Sequence, residues 1–160
     1  MTDKYTIRLI VNGREYMVDV QPSWSLAYVL REKLGLTGTK IACANGDCGS
    51  CTVIMDGIAV LSCLKLAMAV EGKSIITIEG LADGDKLHPI QESFIENAGF
   101  QCGYCTPGMI MAAKALLDGE LNPAEQEVRE AIGGHICRCG SYPRIVKSIL
   151  NAAKTMGEEQ

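Results

Sequence analysis

Residues 43–51 read Cys-Ala-Asn-Gly-Asp-Cys-Gly-Ser-Cys, and another cysteine follows at position 63. We call these four cysteines the first tetrad: Cys43, Cys48, Cys51 and Cys63. Their spacing, C-x4-C-x2-C and then a distant cysteine, is typical of the thiolate ligands of a plant-type [2Fe–2S] cluster. Gly46 and Gly49 permit the positive φ angles of a tight loop, and small residues let backbone N–H groups approach the sulfur atoms. A four-cysteine zinc site is the alternative, although such sites favour paired C-x2-C motifs.

The remaining cysteines form the second tetrad: Cys102, Cys105, Cys137 and Cys139. Thr106-Pro107 predicts a helix N-cap directly after the C-x2-C pair, and a helix N-terminus favours the thiolate form of Cys105. The C-x-C pair lies in the glycine-containing stretch 133–140, which indicates a bent loop. These residues alone leave three possibilities open, namely a second iron–sulfur centre, a zinc site or a redox-active dithiol pair.

Composition restricts the class of protein. The chain has 160 residues, of which 48% are hydrophobic, so it can bury one ordinary core or two small ones. No stretch resembles a signal peptide or a membrane span, and we expect a cytoplasmic protein in which cysteines remain reduced. The formal charge of −4 falls to about −8 if the thiols hold two [2Fe–2S] clusters, which argues against nucleic acid as a partner.

The first half of the chain has the pattern of an α+β fold. Asn12-Gly13 predicts a hairpin turn, and a helix is predicted from Ser23 or Ser25 to about Leu34. The predicted strands are Thr6–Val11, Glu15–Val20, Thr52–Met55, Ile58–Leu61 and Ser74–Ile78. This order fits a β-grasp, plant-type ferredoxin-like domain over residues 1–81.

From residue 82 the pattern becomes helical. Four helices are predicted, over Pro89–Ala98, from Thr106 to about Asp118, from the Asn122-Pro123-Ala124-Glu125 start signal, and over Tyr142–Thr155. Short helices joined by short loops indicate a compact bundle. We therefore predict a C-terminal four-helix domain over residues 82–160 that carries the second tetrad.

Three segments around the cysteines resemble a known family. They are Gly-Asp-Cys-Gly-Ser-Cys-Thr-Val at 46–53, Gln-Cys-Gly-Tyr-Cys-Thr-Pro-Gly-Met-Ile-Met at 101–111 and Ile-Cys-Arg-Cys at 136–139. Together they resemble the small [2Fe–2S] subunit of the molybdenum hydroxylases, the xanthine oxidase family. That family includes nicotinate dehydrogenase, isoquinoline oxidoreductase, aldehyde oxidoreductase and carbon monoxide dehydrogenase. The resemblance extends over nearly the whole chain and favours an iron–sulfur centre at both tetrads.

The resemblance implies an electron-transfer subunit without catalytic residues of its own. It assigns the first tetrad to the cluster nearer FAD and the second to the cluster nearer molybdenum. Gln101 and Cys139 match family residues that contact the pterin, which in bacterial members is usually molybdopterin cytosine dinucleotide. The implied partners are a large molybdopterin-binding subunit together with a medium FAD-binding subunit, with no nucleic acid and no membrane.

One departure from the family pattern concerns the turn after the second tetrad. Many members read Cys-Arg-Cys-Thr-Gly-Tyr, whereas this chain reads Cys-Arg-Cys-Gly-Ser-Tyr at 137–142, so the ligands remain but the turn differs. His135 is a candidate replacement ligand, although four cysteines are already present and a hydrogen-bonding role is favoured. A free-standing ferredoxin and a zinc-binding adaptor are the rival functional classes.

Overall fold

A computed structural model describes residues 4–158. The first half forms a five-stranded sheet with the order β2-β1-β5-β3-β4. Its strands are β1 (Tyr5–Val11), β2 (Arg14–Val20), β3 (Thr52–Met55), β4 (Ile58–Leu61) and β5 (Ser74–Ile76). β1 and β5 are parallel, and the other neighbouring strands are antiparallel. The predicted α+β, β-grasp architecture is confirmed.

Two predicted hairpin turns are present. Asn12 and Gly13 have φ angles of 51° and 75°, and Asp56 and Gly57 have 48° and 83°, as a type I′ turn requires. The last strand is shorter than predicted because Ile78 already belongs to a 3₁₀ turn, Ile78–Gly80.

The helix between β2 and β3 starts at one of the two predicted serines. Ser25 Oγ accepts a hydrogen bond from the Tyr28 amide (3.2 Å), which caps α1 (Leu26–Tyr28). The chain continues as a π-helical segment, Val29–Lys33, and Gly35 follows it with φ at 71°. The apolar face of this helix packs on the sheet and fills the first core.

Four helices occupy the second half, as predicted. They are α2 (Pro89–Glu96), α3 (Thr106–Gly119), α4 (Glu125–Ala131) and α5 (Tyr142–Glu158). Two predicted helix starts were wrong in detail. Thr106 is the first helical residue rather than the cap, and its buried hydroxyl has no hydrogen-bond partner among the described residues. α4 begins at Glu125, where the Ala124 amide donates to Glu127 Oε2 (2.7 Å).

Each half has its own hydrophobic core. The first contains Leu9, Val20 and Leu30, and the second contains Phe94 and Met109 among its buried residues. Ile78 and Leu81 pack against the second core, and the boundary after residue 81 stays a prediction. No helix within residues 4–158 combines the length and apolar character needed to cross a membrane.

Candidate iron–sulfur centres

The first tetrad depends on one irregular loop and one hairpin. Residues 40–51 form neither helix nor strand, and Cys51 directly precedes β3. Cys63 lies in the 3₁₀ turn Ser62–Leu64 that follows β4. Because Thr52 pairs with Leu61, the ends of the hairpin bring Cys51 beside Cys63. The Ser62 hydroxyl and amide both donate to the Cys51 carbonyl oxygen, at 2.6 and 3.3 Å, and fix this end of the hairpin.

Backbone N–H groups and burial act on different thiols of the first tetrad. Hydrogen bonds from the Asn45 amide and the Cys48 thiol lower the pKa of Cys43 to about 6. Burial, together with the neighbouring Cys51 thiol, raises the pKa of Cys63 to about 12, although the Gly46 amide points at this sulfur. The predicted approach of backbone N–H groups to the sulfur atoms is therefore present. Gly46 and Gly49 have the expected positive φ angles of 92° and 70°.

The second tetrad comes from two loops at helix ends. Cys105 directly precedes α3, and Cys137 and Cys139 lie between α4 and α5. The Tyr142 hydroxyl accepts a hydrogen bond from the Cys137 amide (2.8 Å) and donates to the His135 carbonyl (3.0 Å). Tyr142 thus fixes the turn that carries the C-x-C pair.

The thiols of the second tetrad also divide into two kinds. The Tyr104 amide and the Cys139 thiol lower the pKa of exposed Cys102. Burial and the neighbouring Cys137 thiol raise the pKa of Cys105 to about 12, so the local environment outweighs the expected effect of the helix N-terminus on its thiolate. For Cys137, burial raises the pKa, but the Ser141 amide and other donors outweigh it and the net shift is downward. A metal ion displaces the remaining thiol protons when it binds.

Each tetrad is arranged as two adjacent pairs of thiols. Cys43 lies beside Cys48, and Cys51 beside Cys63. In the second tetrad Cys102 lies beside Cys139, and Cys105 beside Cys137. Within residues 4–158, no three ligand-type side chains gather tightly enough to hold one metal ion. Two pairs of thiols suit two bridged irons, so the donor set and its arrangement fit a [2Fe–2S] cluster at each tetrad.

The two ligand loops contact each other directly. The Ile136 amide donates to the Cys48 carbonyl oxygen (3.0 Å), and the Tyr104 hydroxyl donates to the Ile41 carbonyl oxygen (2.9 Å). Gly108 in α3 lies so close that a Cβ there would sit 2.4 Å from the Gly49 carbonyl oxygen. The loops of the two tetrads therefore form one shared interface.

His135 lies at this interface. The residue is 8% exposed, its Nε2 lies 2.9 Å from Thr52 Oγ1, and burial lowers the pKa of its imidazole. The predicted hydrogen-bonding role is confirmed.

The two predicted pterin-contacting residues lie together at the surface. Gln101 Nε2 donates to the Cys139 carbonyl oxygen (3.2 Å), and Gln101 is exposed. Exposed Phe100 directly precedes Gln101, and exposed Ile136 lies three residues before Cys139. This region of the surface thus presents a polar amide beside a candidate ligand and apolar side chains.

Thr52, Gly108 and Tyr142, which form or support this interface, were not predicted as functional residues from the sequence. Gly108 carried a detectable signal, since a glycine in the first turns of a helix costs about 1 kcal/mol relative to alanine and indicates close packing. The sequence around Thr52 and Tyr142 gives no such indication. The partner of Thr52 is distant in the sequence, and the hydrogen bonds of Tyr142 depend on the geometry of the turn.

Comparisons with known proteins agree with this arrangement. A family described as a 2Fe-2S iron–sulfur cluster binding domain matches residues 9–78, and one described as a [2Fe-2S] binding domain matches residues 77–150. The small subunit of nicotine 6-hydroxylase from Paenarthrobacter nicotinovorans is 44% identical, over 99% of this chain and 95% of that protein. One of the nicotinate dehydrogenase subunits from Pseudomonas putida is 43% identical, over 94% of this chain and 96% of that protein.

Solved structures give the same result. A chain of quinoline 2-oxidoreductase from Pseudomonas putida superposes with a TM-score of 0.93 and 43% identity, covering 97% of both chains. The aldehyde oxidoreductase of Desulfovibrio desulfuricans superposes with a TM-score of 0.91 and 42% identity, but the match covers 97% of this chain and 17% of that one. With two [2Fe–2S]-binding regions that together extend over residues 9–150, the chain belongs to the iron–sulfur small subunits of the molybdenum hydroxylases, which transfer electrons within oxidoreductases.

Proposed function

We propose that this chain relays electrons from a molybdopterin centre on a large partner subunit, through two [2Fe–2S] clusters, to FAD on a medium partner subunit. The observation that carries the proposal is the shared interface between the two thiol tetrads. The Ile136 amide, next to Cys137, donates to the carbonyl oxygen of Cys48. Covalent bonds and one hydrogen bond therefore connect a ligand of one tetrad to a ligand of the other.

All eight cysteines act as ligands in this proposal. The first cluster is held by the pairs Cys43/Cys48 and Cys51/Cys63, and the second by the pairs Cys102/Cys139 and Cys105/Cys137. A bound [2Fe–2S] cluster accepts and releases one electron. The chain's own residues hold the sulfur atoms, supply N–H donors to them and exclude water from the buried thiols. Bond-making chemistry then belongs to the partner, and this chain is a non-catalytic subunit.

The surface around the second tetrad supports a large molybdopterin-binding partner. Gln101 and Cys139 are adjacent there, and both match family residues that contact the pterin. Phe100, Tyr104 and Ile136 are exposed on the same two loops, and aromatic side chains are enriched in protein interfaces. We infer that Gln101 and Cys139 contact molybdopterin cytosine dinucleotide held mainly by that partner.

A second apolar surface lies beside the first tetrad. Leu64, Leu66 and Met68 follow Cys63 and are exposed. We infer that the medium, FAD-binding subunit covers this surface. We place the complex in the cytoplasm, where the eight thiols stay reduced and available to clusters.

The relay is tested by replacing a ligand of the second tetrad. Cys105→Ser in the complete complex should remove one of two reduced-state EPR signals and stop reduction of FAD by substrate, because a buried thiolate ligand is lost. Ser93→Ala, which alters a buried hydroxyl in α2 that bonds the Ser148 carbonyl, is a matched control that should keep both signals. Iron analysis of the unaltered chain should give about four irons, two per tetrad. Two unaltered EPR signals in Cys105→Ser would contradict the ligand assignment.

The pterin contact is tested at Gln101. Gln101→Ala removes the amide but leaves every cysteine, so both EPR signals should remain while the complex retains less molybdenum. Gln91→Ala in α2, which removes a different amide side chain, is the control for loss of a glutamine. Unchanged molybdenum content and turnover in Gln101→Ala would exclude the contact.

A further inference from the structure

The side chain of His135 has no part in the relay described above, yet it is buried between the two ligand loops. Its Nε2 lies 2.9 Å from Thr52 Oγ1, and Thr52 directly follows Cys51, a ligand of the first tetrad. His135 itself precedes Cys137, a ligand of the second tetrad, by two residues. One side chain therefore joins the backbone segments of both centres.

The hydrogen bonds around Thr52 favour one of the two ring nitrogens of His135 as the proton carrier. The Thr52 hydroxyl lies 2.7 Å from the Gly49 carbonyl oxygen, and a carbonyl oxygen only accepts. The single hydroxyl proton is thus used there, and the Thr52 oxygen accepts from His135. This arrangement favours the Nε2–H tautomer of His135, in which the ring donates to Thr52 Oγ1 and Nδ1 is buried.

The segment 135–137 is held from both halves of the molecule. From the helical half, the Tyr142 hydroxyl bonds the His135 carbonyl and the Cys137 amide. From the sheet half, Thr52 bonds the His135 ring, and the Cys48 carbonyl accepts from the Ile136 amide. The Ile136–Cys48 hydrogen bond that connects the two centres lies between these supports, so its geometry depends on them.

We propose that His135 is a positioning residue that, through Nε2–H donation to Thr52 Oγ1, holds the loop of the second tetrad against the loop of the first and so maintains the Ile136–Cys48 hydrogen bond. This inference rests on the proposed function, because it concerns the coupling between the two clusters. The ring also packs on Gly49, where a Cβ would lie 2.5 Å from His135 Cδ2. Packing without the hydrogen bond is the competing explanation that the experiment must separate.

The experiment compares four variants of the full chain, purified without oxygen and with both clusters loaded. His135→Phe keeps an aromatic ring but removes the donor, and His135→Gln keeps an N–H donor. Thr52→Val keeps the shape of the side chain but removes the hydroxyl, whereas Thr52→Ser keeps the hydroxyl. The readouts are hydrogen exchange of the peptide that contains the Ile136 amide, and the magnetic splitting between the two clusters in the EPR spectrum of the fully reduced chain.

We expect His135→Phe and Thr52→Val to accelerate exchange of the Ile136 amide about tenfold, the effect of losing one buried hydrogen bond, and to reduce the magnetic splitting. In His135→Gln and Thr52→Ser, the exchange rate and the magnetic splitting should stay near those of the unaltered chain. If His135→Phe does not fold, Thr52→Val and Thr52→Ser decide the result, since neither changes the ring.

Three results would overturn the positioning role. The first is unchanged exchange and splitting in Thr52→Val. The second is a change in His135→Phe without one in Thr52→Val, which would mean that the ring acts by packing. The third is a change in exchange and splitting in His135→Gln and Thr52→Ser that is as large as the change in His135→Phe and Thr52→Val. Iron content measured on the same samples separates the two proposals, because fewer than about four irons in the unaltered chain would overturn the relay and the positioning role together.

Discussion

The two tetrads have similar electrostatics but different local structures. Three cysteines of the first tetrad come from the irregular segment 40–51, and the register of β3 with β4 adds Cys63. The second tetrad is assembled from two loops at the ends of bundle helices, so it forms only when α3 and α5 are packed together. The first centre thus depends mainly on local chain geometry, and the second on tertiary packing.

The electrostatics of the two tetrads are nevertheless alike. Each has one accessible thiol whose pKa backbone N–H groups lower, Cys43 in the first and Cys102 in the second. Each also has one thiol whose pKa desolvation raises to about 12, the half-buried Cys63 and the buried Cys105 respectively. N–H donation at the accessible side and burial at the inner side stabilise and shield a negative cluster. Two different local structures therefore meet the same physical requirement.

The largest expected effect comes from substitutions that distinguish the hydrophobic core of the sheet half from that of the helical half. Met109 in α3 and Leu9 in β1 are both fully buried, so Met109→Ala and Leu9→Ala should each lower the free energy of unfolding by about 2–5 kcal/mol. Met109→Ala should release the second cluster first, and Leu9→Ala the first cluster, because each cavity lies in the core that supports that centre. The measurement is the decay of the two EPR signals during incubation with an iron chelator. Met17→Ala, at an exposed position in β2, is the control.

Simultaneous loss of both signals in Met109→Ala and in Leu9→Ala would contradict this division. The shared interface between the ligand loops would then make the two halves one cooperative unit.

A smaller effect is expected where the two regions meet. Gly108→Ala adds a Cβ that would lie 2.4 Å from a backbone oxygen of Gly49, so the loops must separate. We expect a loss of about 1–3 kcal/mol of unfolding free energy from overpacking, although alanine itself favours a helix by about 1 kcal/mol. The reduced-state magnetic splitting between the clusters should fall as well.

The control is Gly119→Ala, at the end of the same helix, where a Cβ would meet nothing within 4 Å. This variant should be neutral or slightly stabilised in thermal unfolding. Equal stability of the two alanine variants would show that the loops do not pack as closely as described.

The sequence predicted the elements of the two halves well because their signals are local. Asn12-Gly13 and Asp56-Gly57 have the positive φ angles that their residue types favour, and the helices follow their apolar periodicity. Cysteine spacing likewise predicted the first tetrad as one set, since three of its members lie within nine residues, 43–51. For the second tetrad the residues alone left zinc and a dithiol pair open, because its two halves meet only through the bundle.

The contacts between the two regions were not predictable from local pattern. Thr52 bonds His135, and Tyr104 bonds the Ile41 carbonyl, across large separations in the sequence. The predicted cap of the third helix was one residue late. A threonine before a proline usually caps, but Cys105 occupies the cap position here, and its thiol lies beside Cys137.

The smallest expected effect concerns the β3–β4 turn, far along the hairpin from Cys51 and Cys63. Asp56 bonds Lys73 Nζ (2.8 Å) and the Ser74 amide (3.0 Å), and these contacts lower the pKa of its carboxyl. Asp56→Asn keeps an acceptor for the amide and creates the favourable Asn-Gly turn, so only an exposed ion pair is lost. The Tm of Asp56→Asn should be slightly lower than that of the unaltered chain at low salt and equal to it at high salt, because ions screen an exposed pair.

Both EPR signals should be unchanged in Asp56→Asn, since the register at Thr52 and Leu61 positions the first tetrad rather than the turn. Asp118→Asn removes another ion pair, with the half-buried Lys114 in α3, and is the control in the helical half. A weakened first-cluster signal in Asp56→Asn alone would mean that the turn helps to set the hairpin register. The first centre would then depend on packing remote from its ligands, as the second one does.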